Sequence, residues 1–158
     1  MMGRALLIVG WLATVGFVAN GVIGYLLGDT LQALTPHLLL GLVACLLLLF
    51  SHCWVMFYLI GTGKAIKEAV AEHRLEAELA ERTKGFKSRT YPWLLLAMGL
   101  AIATFVLGGG YVAGAVPGWI HEALFYVTLA VQVWTLLLEG QVLLANERLM
   151  HEINQRLA

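Results

Sequence analysis

PHLLLGLVACLLLLFSHCWVMFYLIG, Pro36 to Gly61, is the stretch on which the fold turns. It contains no Asp, Glu, Lys or Arg, and Leu38–Phe50 is apolar on both of the faces a strand would show. As a helix rising 1.5 Å per residue it spans roughly 39 Å, enough to cross a hydrocarbon layer about 30 Å thick. A barrel strand would instead alternate polar and apolar residues over about ten positions. Three more stretches of the same kind lie at 5–27, 92–113 and 119–138.

The whole composition agrees. Of 158 residues, 60% are hydrophobic and 13% charged, and the mean hydropathy is +0.82. A soluble domain carries about 25% charged residues, so lipid is expected to cover most of this chain. Arg4 before an apolar run imitates a signal peptide, but the run is too long and lacks a clear small-residue cleavage site. The expected fold is all-α: a single membrane domain over residues 1–158, with four transmembrane helices in an antiparallel bundle.

Charge orients it. Lys and Arg fall at Arg4, at seven positions from Lys64 to Arg89, and at Arg148 and Arg156, while Gly28–Thr35 and Gly114–Gly118 hold none. Positive residues are retained on the cytoplasmic side. Both termini are therefore expected in the cytoplasm of a multi-pass protein of the cell membrane. Tyr25, Tyr111 and Trp119 would mark the outer boundary, and Tyr58, Tyr91 and Trp93 the inner one. Lys64–Glu68 and Glu78–Arg82 are i,i+4 pairs, and Leu143, Leu144, Leu149, Met150 and Ile153 form an amphipathic tail. Helices 2 and 4 are thus expected to extend into the cytoplasm, as helical segments near 64–85 and 139–156. The formal net charge of zero argues against nucleic acid as a partner. Lipid, a second copy of the chain or other membrane subunits are the partners expected.

The two halves show a similarity. Each runs out, turns at a short loop without Lys or Arg, returns through a Pro followed soon by His, and ends in a charged tail, EAVAEHRLEAELAER or LLANERLMHEINQRL.

Ionisable groups in a membrane are costly and usually face the bundle interior. At about 100° per residue, His121, Thr128, Gln132, Glu139 and Asn146 share one face of helix 4. His37, Gly41, Ala44, Cys45 and His52 line a stripe on helix 2. Asn20 on helix 1 and Thr104 and Gly108 on helix 3 complete an interior. His37 and His121 stand near the outer ends of their helices and would meet if helices 2 and 4 are neighbours. Two axial histidines from separate helices hold haem b in many proteins, and His is also the commonest metal ligand. His52 lies near the bilayer centre at the depth of Gln132, with Glu139 closing the seam below. His37, His121 and His52 are therefore the candidate cofactor ligands, and Asn20, Gln132 and Glu139 the candidate polar seam. The same residues would serve equally as helix-pairing groups.

Enzymatic signatures are absent. His121-Glu122 lacks the second His of HExxH, and Ser51-His52 are sequence neighbours whose side chains diverge by about 100°. Gly61-Thr62-Gly63-Lys64 lacks the first Gly and the strand of a phosphate loop; its glycines are expected to admit a close neighbour. Cys45 and Cys53 are about 12 Å apart along one helix, too far to bridge. No catalytic residue is assigned, and an enzyme is not the expectation. The leading expectation is a non-catalytic subunit of a homo-oligomer or larger membrane assembly. The alternatives are a b-type haem or metal-binding redox protein using His37 and His121, with His52 as a further ligand, and a bundle conducting protons or small solutes through His52, Gln132 and Glu139.

Overall fold

The structure, a computed structural model, describes residues 2–26 and 31–157. They form four helices: α1 (Met2–Leu26), α2 (Leu31–Glu72), α3 (Ala77–Val112) and α4 (Gly118–Leu157). All four are long and apolar enough to cross a membrane, the pattern of a multi-pass membrane protein. Residues 27–30, which overlap the connection expected at Gly28–Thr35, lie outside the described residues.

Two boundaries differ from the sequence expectation. Pro36 sits inside α2 rather than at its start. It does no harm in the second turn, because only the carbonyl of residue 32 loses an amide partner. At the other end α2 stops at Glu72, short of 85, because Arg74 takes the left-handed conformation (φ 53°) and reverses the chain. The stretch from Ala77 then opens α3, which continues through Pro92. The Lys64–Glu68 pair forms at 3.7 Å, whereas Arg82 reaches across to Glu152 at 3.0 Å.

α1 packs on α2, α2 on α3, α3 on α4, and α4 back on α1; α2 and α4 also touch across the middle, whereas α1 and α3 do not. α4 is the most buried of the four, with 44% of its most apolar stretch inside against 28–33% in the others. The rest of each helix turns large apolar side chains outward, among them Leu12, Phe50, Phe57, Leu95 and Leu137. With 42, 36 and 40 residues, α2, α3 and α4 run to roughly 63, 54 and 60 Å, well beyond a bilayer core. Their charged ends share a small core of Ile66, Val70, Leu79, Leu149 and Ile153, roofed by ion pairs of Arg156 with Glu76 and Glu152.

The hairpin similarity becomes an internal repeat in the packing. His37 and His121 are 84 positions apart (121 − 37), as are Asn20 and Thr104 (104 − 20) and Gly24 and Gly108 (108 − 24). Ala44, Leu48, Ser51, His52, Val55, Leu59 and Thr62 are buried, and so is every residue 84 positions later: Thr128, Gln132, Thr135, Leu136, Glu139, Leu143 and Asn146. Helix rotation is therefore the same in both hairpins.

Candidate functional site

The bundle holds two separate polar sites. The first is a cavity of about 240 Å³ among all four helices, near the α3–α4 turn. His37 and His121 both line it. His37 Nδ1 lies 3.0 Å from the carbonyl oxygen of Asn20, and His121 Nδ1 lies 3.0 Å from that of Thr104. A carbonyl only accepts, so each Nδ1 carries its proton and donates; in the neutral ring Nε2 is the atom with the lone pair. No described residue bonds either Nε2. Gly24 and Gly108 lie under the two rings: a Cβ there would stand 2.8 Å from His37 Cε1 and 2.9 Å from His121 Cε1. The ring centroids are 6.4 Å apart, with planes inclined at 79°.

Phe17 and Phe125, stacked at 5.0 Å, form one wall of this cavity. At its rim the Tyr25 hydroxyl donates to Glu122 and meets Tyr126 at 2.9 Å. Asn20 is only 9% exposed and also lines the cavity, yet its side-chain Oδ1 has no hydrogen-bond partner. A buried amide oxygen left unpaired is uncommon and calls for a donor from outside the chain.

The second site is fully buried. His52 on α2 is 0% exposed, and both of its ring nitrogens are engaged by α4. Nδ1 is 2.7 Å from Glu139 Oε1, and Nε2 is 2.8 Å from Gln132 Oε1. The Gln132 amide nitrogen donates to Thr14 Oγ1 at 3.1 Å, and that hydroxyl donates to the Gly10 carbonyl at 2.9 Å. α1, α2 and α4 are thus joined by one chain of hydrogen bonds.

The candidates accordingly sort into two groups. His37, His121 and Asn20 gather at the cavity; His52, Gln132 and Glu139 gather in the buried cluster. His52 stands apart from the other two histidines, and Asn20 apart from Gln132 and Glu139. Glu139 is bonded to His52, and Lys64 pairs with Glu68. Thr14 escaped the sequence reading, because a lone Thr in an apolar helix ordinarily bonds its own i−4 carbonyl; it does that here and accepts from Gln132 besides. Of the Gly-Thr-Gly glycines, Gly63 packs against Lys87 and Thr83 of α3 while Gly61 faces open space. Thr62 between them bonds Asn146 of α4 at 3.1 Å.

Among the described residues no group of three His, Cys, Asp or Glu side chains could hold a metal ion. A scan of family models and searches of curated proteins and of solved structures found no match to this chain.

Proposed function

We propose that this protein is a membrane-embedded redox protein that holds b-type haem between His37 and His121. The observation that carries the proposal is the histidine pair itself. Both imidazoles have Nδ1–H tied to a backbone carbonyl, the outer-shell bond that orients a metal-ligating histidine and raises its basicity. The two ring centroids stand 6.4 Å apart at the same cavity, so both imidazoles would be at hand for one haem iron. Donor number favours haem over a bare ion. Two histidines complete a haem iron, whose other four ligands come from the porphyrin, whereas a bare ion would find no third side chain. The repeat also supplies the two ligands from equivalent positions, as a group with similar faces would ask.

The framework around the site is proposed with it. The four helices form one domain, an antiparallel bundle in the cell membrane, with the charged ends of α2, α3 and α4 in the cytoplasm and the histidine cavity near the outer face. No Lys or Arg lines that cavity among the described residues. Bound haem would supply one-electron transfer; the chain's own residues hold, orient and shield it.

The visible spectrum of the full-length protein purified in detergent, oxidised and dithionite-reduced, tests the proposal. Expected are a Soret band and sharpened bands on reduction, lost in His37→Ala and in His121→Ala and kept in His52→Leu. Wild-type protein from haem-replete cells without a chromophore would overturn it. The non-catalytic subunit of a homo-oligomer or larger assembly would then be the better account.

A further inference from the structure

His52 is 15 residues from His37 along α2, roughly 22 Å at 1.5 Å per residue, so the buried cluster is no part of the histidine cavity. Its hydrogen bonds run one way as the side chains are placed. The Thr14 hydroxyl donates to the Gly10 carbonyl and accepts from the Gln132 amide nitrogen. Gln132 is thereby fixed with its carbonyl oxygen toward His52 Nε2, which must carry a hydrogen. That leaves the 2.7 Å contact between Nδ1 and Glu139 Oε1, which needs a proton between them. Without one, a ring lone pair would face a carboxylate. With one, the pair is either imidazolium and carboxylate or neutral imidazole and carboxylic acid, and its net charge is zero both ways.

The repeat says that packing alone does not require these groups. Eighty-four positions away (52 + 84, 132 − 84, 139 − 84), the equivalents of His52, Gln132 and Glu139 are Leu136, Leu48 and Val55. These are 1%, 0% and 1% exposed. The same level of the bundle is therefore filled by hydrocarbon on one side and by a hydrogen-bonded polar triad on the other. A buried ion pair generally stabilises no better than well-packed apolar residues of similar volume.

We infer that His52, Glu139 and Gln132 form a proton-binding site within the bundle, holding one proton between the ring and the carboxyl. Glu139 is the one titratable side chain bonded to His52. α1 contributes the uncharged Thr14, and α3 bonds nothing to the cluster. The next buried polar pair, Thr62 and Asn146, lies about 10 Å further toward the charged end.

Proton linkage tests this on the full-length protein in detergent. The comparison is between wild type and the apolar variant His52→Leu/Gln132→Leu/Glu139→Leu, which copies the residues of the other side. The unfolded chain carries about one proton on these two groups between pH 4.3 and 6.5, as the native cluster does, and none above. By linkage, the wild-type unfolding constant should rise tenfold per pH unit above about 6.5 relative to the variant, until the native cluster loses its own proton. A pH-independent difference from about pH 5 to 9 would overturn the site. Should the variant not fold, ¹⁵N-histidine spectra and the infrared carboxyl region of wild type and Glu139→Gln at about pH 8 decide. Either a doubly protonated His52 ring or a Glu139 carboxylic acid band supports the bound proton, and finding neither refutes it.

Discussion

His37 and His121 make the same bond in two different hairpins: each Nδ1 reaches a carbonyl 17 residues earlier in the chain, at 3.0 Å in both cases. Four residues past each carbonyl, at Gly24 and Gly108, a glycine gives the ring its place. The bond and the glycine together fix how each ring sits in the wall of the cavity.

A test of that arrangement lies in the glycines. A methyl group at Gly24 or Gly108 would meet a ring whose Nδ1 is already committed, so the imidazole must give up its carbonyl bond. Gly24→Ala and Gly108→Ala should each lower stability by about 1–3 kcal/mol. At Gly16, where a Cβ would find open space, alanine should be neutral or stabilise by about 0.5–1 kcal/mol through helix propensity. Denaturant titration in detergent measures all three. Equal effects at Gly16 and Gly24 would show that the ring is free to move.

Topology makes a second prediction. With Cys45 and Cys53 replaced by Ala, single cysteines placed in Gly28–Thr35 or Gly114–Gly118 should react with an impermeant thiol reagent applied outside intact cells. Cysteines placed in Thr83–Thr90 should not. The reverse pattern would defeat the orientation, which rests on the one-sided Lys and Arg distribution.

The charged end supplies a third. The hydrogen bond from Arg82, helped by the charges of Arg82 and Arg156, holds the Glu152 carboxyl below its usual range. A depressed carboxyl contributes stability that is present above its ordinary value near 4.5. That contribution is lost as pH falls through the lowered native value. Unfolding midpoints of wild type should therefore drop below about pH 4.5 more steeply than those of Arg82→Ala, and molar salt should narrow the difference. Parallel pH profiles would show that the pair is idle, as many exposed pairs are.

The spans were legible because apolar runs such as Pro36–Gly61 leave a helix no polar face. The seam on α4 was legible because His121, Thr128, Gln132 and Glu139 recur at helical spacing. What escaped was set by neighbours rather than by periodicity. Nothing in His73-Arg74-Leu75-Glu76 announces the reversal that ends α2 at Glu72, since Arg74 takes φ 53° without being a glycine or an asparagine. Sequence depth placed His52 level with Gln132. Only the diagonal contact of α2 with α4 shows that its ring is close enough to bond Gln132 and Glu139 at once.

Beside the histidines the two hairpins have ceased to be interchangeable. Gly21 of the first lies against Phe125 of the second, and Gly41 of the first against Phe105 of the second; these are equivalent contacts (105 − 21 and 125 − 41) with the large partner always on the same side. A pair of first hairpins would set glycine against glycine and leave a hole. A pair of second hairpins would force ring into ring. Expressed as separate polypeptides, the halves should therefore choose each other over copies of themselves, and the single chain behaves as a heterodimer whose subunits have been fused.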